Sequence, residues 1–119
     1  MALERGSLSN VVNCSVGQTQ AAVTCASNKK VYVKSIICHA PLPAGISSST
    51  AHIYFVPNNG GSAGSATTMN QIFNGIVYAQ ETVMFEPAYP LVLTATGDSI
   101  QVGAGSSDVN FLITGDKES

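Results

Sequence analysis

The segment that decides the fold is residues 30–39, which read KVYVKSIICH. β-branched and aromatic side chains predominate in it, and they favour an extended strand. Because successive side chains of a strand point to opposite faces, the segment should present two rows. One row is Val31, Val33, Ser35 and Ile37, and the other is Tyr32, Lys34, Ile36 and Cys38. Lys34 is the only charge inside the run, so we expect the second face to be exposed to solvent near its middle.

The same strand pattern continues outward in both directions. Residues that favour turns separate further runs at positions 10–16, 20–26, 50–56, 71–80, 81–86, 91–95, 99–102 and 108–114. Gly75 interrupts one run and predicts a β-bulge there. Thr96-Gly97-Asp98 predicts a hairpin turn between the runs at 91–95 and 99–102.

Residues 40–49 contain Pro41, Pro43 and Gly45, so they cannot form a central strand. We expect a long connection there that crosses from one sheet to the other. The pattern therefore predicts an all-β fold: a single-domain antiparallel β-sandwich, Greek-key or jelly-roll-like, with about eight to nine short strands. We expect an N-terminal arm at residues 1–9, the sandwich at 10–115 and a charged tail at 116–119.

The composition is unusually poor in charge. Only 10% of the residues are Asp, Glu, Lys or Arg, against roughly a quarter in an ordinary soluble domain. The net charge of −2 argues against a nucleic-acid partner, which requires a basic face. No apolar run approaches the length of a bilayer span or forms a secretory signal, so we predict no membrane partner. A surface of small polar residues suits a protein packed against other proteins.

The cysteines do not predict a metal or redox site. Cys14, Cys25 and Cys38 form an odd set without a C-x-x-C pair. We interpret them as small buried apolar residues, with a Cys14–Cys25 disulfide as the alternative. Reduced thiols indicate synthesis in a cytosolic compartment.

Two histidines are the best candidates for chemistry. His39 and His52 could share a metal with Asp98 or Asp108 if their strands are neighbours; the alternative is two ordinary strand-end histidines.

Glu81 and Glu86 are an odd number of positions apart, so they leave opposite faces of a strand and cannot act as a glycosidase pair. The glycine-rich residues 58–65 lack the ending of a phosphate-binding loop. We therefore predict no catalytic residue, no cofactor, no metal and no enzyme activity.

A family resemblance adds to this interpretation. It is carried by six phrases in order: KVYVKSII at 30–37, IYFVPN at 53–58, ETVMFE at 81–86, PLVL at 90–93, GDSIQV at 97–102 and VNFLITG at 109–115. In these phrases the chain resembles the small β-sandwich virion proteins of tailed bacteriophages. Those proteins are capsid decoration (cement) proteins or accessory parts of the neck and tail.

The resemblance implies a structural virion protein, most simply a decoration protein that binds and stabilises the assembled head. It implies the major capsid protein or other virion proteins as partners, a homo-oligomer with a trimer as one form, and a virion location after synthesis in the host cytoplasm. We expect partner contacts at Leu3, Glu4, Arg5, Leu8, Asn58, Asn59 and Ser62. The alternative is a neck, tail or fibre module that contacts virion proteins or host glycan, with Tyr78, Tyr89 and the loop at residues 58–65 as candidates.

Overall fold

The computed structural model describes residues 3–118, which form ten strands and one short 3-10 helix, Thr68–Asn70. The strands are β1 Leu3–Ser7, β2 Val12–Cys14, β3 Thr19–Thr24, β4 Lys30–His39, β5 Ser48–Val56, β6 Gln71–Tyr78, β7 Thr82–Phe85, β8 Leu91–Leu93, β9 Ser99–Ala104 and β10 Val109–Glu118. The decisive segment, residues 30–39, is one unbroken strand, as predicted.

The strands form two antiparallel sheets. In the first sheet β10 and β4 are central, β1 and β2 pair with the free side of β10, and β7 and β8 pair with the free side of β4. The second sheet has the order β3-β9-β5-β6. From β2 to β5 every strand lies in the opposite sheet from the one before it, and the same holds from β8 to β10. This winding is that of a jelly roll, so the predicted all-β sandwich is confirmed.

The core lies between the two sheets. It is a single cluster of aliphatic residues, three thiols and Phe111, the largest fully buried side chain. The predicted crossing at residues 40–49 does connect the first sheet to the second, and Ala40 and Leu42 within it are buried in the core. Val83 and Phe85 of β7 pack against the same core.

A β-bulge on β4 changes the predicted faces. Ser35 pairs with Thr114 of β10, whereas Val33 pairs with Gly115, so Lys34 is an extra residue on β4. The core side is therefore Val31 and Val33 before the bulge, but Ile36 and Cys38 after it. The predicted rows were wrong beyond Lys34, because the extra residue reverses the alternation.

Two local predictions were also wrong. Residues 96–98 do not close a hairpin, because β8 pairs with β4 in the first sheet and β9 pairs with β3 and β5 in the second. Gly75 is in register with Ala51, and the bulge of β6 falls at Ile72 instead. A Cβ on Gly75 would lie 2.7 Å from the Phe73 ring, so this glycine provides space for that ring.

The predicted arm and tail are paired strands rather than segments outside the sandwich. Leu3 pairs with Glu118 and Ser7 with Thr114. The backbone N–H of Leu8 continues the contact by donating to the carbonyl of Ile113 at 2.8 Å. Backbone pairing needs no apolar side chains, and the polar sequences of both segments therefore contained no strand signal. Residues 1, 2 and 119 of the predicted arm and tail lie outside the described residues.

Candidate interaction surface

Formal charge is divided unevenly between the two sheets. The four strands of the second sheet, all within residues 3–118, contain no Asp, Glu, Lys or Arg. The first sheet carries charge on β1, β4 and β10, including Arg5, Lys34 and Asp116. Asp116 is nearly buried, and its carboxylate lies 2.8 Å from Lys34 Nζ and 3.9 Å from Arg5 Nε. The outer surfaces of the two sheets therefore differ in chemistry.

The outer side of β5 and β6 is a continuous surface, which we call the uncharged face. It consists of Thr50, His52, Tyr54, Gln71, Ile72, Asn74, Ile76 and Tyr78. Alternate residues of both strands face the core, as Ala51, Ile53 and Val77 do, so the residues between them point outward. The bulge at Ile72 interrupts this alternation, and the neighbouring Gln71 lies on the same face because its amide contacts His52 and Tyr54. Ile72, Ile76 and Tyr78 are exposed apolar or aromatic residues.

A polar network holds the centre of the uncharged face. Gln71 Nε2 lies 3.0 Å from His52 Nδ1 and 3.4 Å from the hydroxyl of Tyr54. Burial lowers the pKa of His52 below its ordinary value. His52 is therefore neutral at pH 7, and the face stays without formal charge under those conditions.

The two histidines of the metal hypothesis lie in different sheets. His39 ends β4 in the first sheet, where its Nδ1 is 3.0 Å from the hydroxyl of Thr82. His52 is central in β5 of the second sheet and contacts Gln71. Between residues 3 and 118 the structure contains no group of three His, Cys, Asp or Glu side chains that could hold a metal ion.

The cysteines are free and buried, and Cys14 and Cys25 are not bridged. The thiol of Cys14 donates to the carbonyl of Val102 at 3.4 Å, and that of Cys25 to the carbonyl of Lys29 at 3.2 Å. Burial raises the pKa of Cys38 to about 12. These thiols are packing residues of the core, and burial makes them poor nucleophiles.

The predicted contact residues fall into two separate regions. Leu3, Glu4 and Arg5 are exposed on edge strand β1, whereas Leu8 packs against the core. Leu3 lines an open groove of about 230 Å³ on the first sheet, together with Tyr32 and Pro90. Asn58, Asn59 and Ser62 belong to the loop at residues 57–67, which lies on the second sheet. The structure therefore does not unite these residues in one surface.

The loop at residues 57–67 is held against the second sheet. Asp98 Oδ1 accepts hydrogen bonds from the backbone N–H of Asn58 at 2.9 Å and from its Nδ2 at 3.0 Å. Asn59 and Ser62 exchange backbone hydrogen bonds, and Gln101 Nε2 donates to the carbonyl of Gly64 at 2.8 Å. These bonds attach the glycine-rich segment to the second sheet.

Removing the Asp98 carboxylate should release this loop. Burial raises the pKa of Asp98, but hydrogen bonds from Asn58 and from the backbone of Ala95 and Thr94 outweigh that effect and leave it below the ordinary value. We expect Asp98→Ala to cost about 1 kcal/mol and to accelerate amide exchange in residues 57–67. Asp108→Ala is the matched control.

The contribution of Asp98 should depend on pH. Because its folded-state pKa is depressed, the stabilisation is fully present above the unfolded pKa of about 4. It is lost as the pH falls through the lower folded-state pKa, so the unfolding free energies of wild type and Asp98→Ala should converge in acid. A difference that stays constant below pH 4 would contradict this account of the loop.

The sequence contained a signal for the uncharged face that composition alone obscured. Residues 35–80 include no Asp, Glu, Lys or Arg. This interval covers all of β5 and β6, which form the face, and the loop between them. A plot of charge along the chain would have drawn attention to these strands, although not to their pairing.

Comparison with known proteins does not assign the chain to a family. No protein-family profile matches it, and no curated protein matches it. Within the described residues, no helix is long and apolar enough to cross a membrane.

Proposed function

We propose that this chain is a structural protein of a tailed-phage virion that decorates the head and stabilises the assembled shell. The observation that carries the proposal is the uncharged face, a sheet surface free of formal charge with exposed Ile72, Ile76 and Tyr78. Such a surface loses little hydration energy when another protein covers it, because no ion must be desolvated. Adhesion is the activity that this surface supports best.

The scaffold also suits a shell protein. Two sheets enclose one continuous core, and every buried side-chain polar atom within residues 3–118 has a hydrogen-bond partner. A rigid, fully satisfied sandwich can bind without a large ordering cost. Many copies on one particle would add avidity, so each individual contact can be weak.

A neck, tail or fibre module that holds host glycan is the alternative function. It would need aromatic side chains grouped beside a loop, as in sugar-binding sites. Tyr78 lies on β6 of the second sheet, whereas Tyr89 lies in the connection between β7 and β8 of the first sheet. No observation on the described residues favours this alternative over shell binding.

A charge placed on the uncharged face should weaken particle binding. Thr50 is half-buried and central on the face, and its neighbour in register on β6 is Ile76. Thr50→Lys would place an unpaired ammonium group in the contact, and we expect about tenfold or greater loss of affinity, since 1.4 kcal/mol already gives that factor. Binding is measured by co-sedimentation with heads of the source phage that lack this protein.

The matched control is Val92→Lys, which adds the same charge to an exposed position on β8 of the first sheet. It should bind heads as wild type does, and both variants should retain wild-type far-UV circular dichroism. Head binding that is unaffected by Thr50→Lys would reject the uncharged face as the contact. Wild-type protein that sediments with purified tails but not with heads would reject the decoration role.

A further inference from the structure

The four sheet edges are protected to very different degrees. The edge formed by β1 and β2 carries Glu4 and Arg5, and β7 and β8 are four and three residues long and lie beside prolines. Edge strand β3 contains a bulge at Ala22. Charge, shortness, proline and bulges are the usual means of preventing edge-to-edge pairing.

Strand β6 is the exception among the described edges. It is eight residues long and has neither charge nor proline. Its bulge at Ile72 lies near its first residue and leaves Phe73 to Tyr78 in regular register with β5. Alternate backbone N–H and C=O groups of an edge strand point away from the sheet. Strand β6 therefore has unpaired backbone N–H and C=O groups along its outer edge, beside the exposed side chains of Ile72, Ile76 and Tyr78.

We propose that β6 pairs antiparallel with β6 of a second copy of this chain about a two-fold axis. The two second sheets then join into one eight-stranded sheet, and the two uncharged faces become one surface. This inference goes beyond the proposed function and does not depend on it.

The absence of charge on β6 favours a second copy of the chain as its partner. In a two-fold antiparallel pair the same strand lies on both sides, so a charged residue would lie close to its own like charge. Neither β6 nor its neighbour β5 carries any Asp, Glu, Lys or Arg. A strand built for a charged partner would be expected to carry the opposite charge, and β6 carries none.

The bulge restricts regular pairing to residues 73–78 of β6, and we place the two-fold axis at Ile76 within that segment. An axis through Ile76 pairs residues 74–78 of each copy and leaves the irregular end of β6 outside the contact. Ile76, which is 59% exposed, then lies opposite Ile76 of the second copy. Tyr78 of each copy then lies opposite Asn74 of the other copy.

The first test is the solution mass of the whole chain. Sedimentation equilibrium should give twice the 12.3 kDa protomer mass for wild type at micromolar concentration. Ile76→Lys should give a monomer, because two ammonium groups would face each other across the axis. Met84→Lys, on exposed β7 of the first sheet, should remain a dimer. A monomeric wild type, or an Ile76→Lys variant that still dimerises, overturns the proposal.

The second test determines the register of the β6 pair by disulfide cross-linking. The three native thiols are buried, so an added exposed cysteine is the reactive one. Ile76→Cys should form an intermolecular disulfide under mild oxidation, since directly opposed Cα atoms lie within disulfide reach. Met84→Cys, where the native side chain is 54% exposed, is the control and should stay unlinked. Equal cross-linking of the two variants contradicts the pairing.

The outcomes separate this inference from the proposed function. A wild-type monomer that binds phage heads overturns the β6 pairing and leaves the decoration role standing. A dimer that is dissociated by Ile76→Lys but binds no heads supports the pairing and overturns the decoration role.

Discussion

Gly115→Ala should destabilise the protein by about 3 kcal/mol. Gly115 lies on β10 opposite the point where Lys34 bulges out of β4. A Cβ on Gly115 would overlap the carbonyl oxygen of Tyr32 and would approach the Leu8 side chain to 3.1 Å. The obstacle is backbone in a central strand pair, so it cannot move aside as a flexible side chain could.

Urea unfolding followed by far-UV circular dichroism measures this effect. The control is Gly105→Ala, whose Cβ would meet side-chain atoms of Thr50 and His52 at 3.0 and 3.1 Å. Side chains can shift by a few tenths of an ångström, so Gly105→Ala should cost clearly less than Gly115→Ala. Equal losses for the two variants would show that the β4 bulge does not require a glycine on β10.

The second large effect is expected at the centre of the core. Phe111 is fully buried on β10, where it pairs with Cys38 of β4 and Val12 of β2. Phe111→Ala should cost about 3–5 kcal/mol, because it removes a large apolar side chain and leaves a cavity. Typical domains have a total stability of only about 5–15 kcal/mol, so this variant should unfold at a much lower urea concentration.

Met69→Ala is the matched control, since Met69 lies within the short 3-10 helix and is 93% exposed. Its unfolding midpoint should match that of wild type. A further variant, Phe111→Leu, should recover most of the stability because it refills much of the cavity. A Phe111→Ala midpoint equal to that of Met69→Ala would mean that the core does not contribute as the structure indicates.

Most strands could be predicted from their local pattern. The segment at residues 30–39 was placed with the bounds that the structure has, because its β-branched residues are uninterrupted by turn residues. The faces within that strand could not be predicted past Lys34. A bulge depends on how two strands pair, and nothing in the sequence of β4 itself indicates one. The residue that accommodates the bulge is Gly115, which lies on β10, far along the chain.

The partners of β8 and β9 were beyond local prediction for a similar reason. Residues 96–98 have the composition of a hairpin turn, yet a turn of the same composition can carry the chain across to the opposite sheet. Here the turn is tied to the second sheet: the backbone N–H of Cys25 donates to the carbonyl of Asp98 at 2.8 Å. The Asp98 side chain also binds Asn58, far from it in sequence.

The expected contact residues show how little of the candidate surface could be predicted from the sequence. Leu3, Glu4 and Arg5 were expected in an arm outside the sandwich, yet their segment pairs with the end of β10. The uncharged face instead draws on β5 and β6, which are separated by the loop at residues 57–67. Only their pairing brings Thr50 beside Ile76 and His52 beside Asn74.

The amino-acid sequence by itself determined that this protein is a β-sandwich poor in charged residues, because side-chain alternation, turn residues and charge content are local properties of the chain. The tertiary structure alone decided which strands are neighbours, where bulges reverse a face, and which edge remains open. Those features arise from contacts between residues far apart in sequence, and such contacts depend on how whole strands pack together. The uncharged face and the open edge of β6, on which both proposals rest, are features of this second kind.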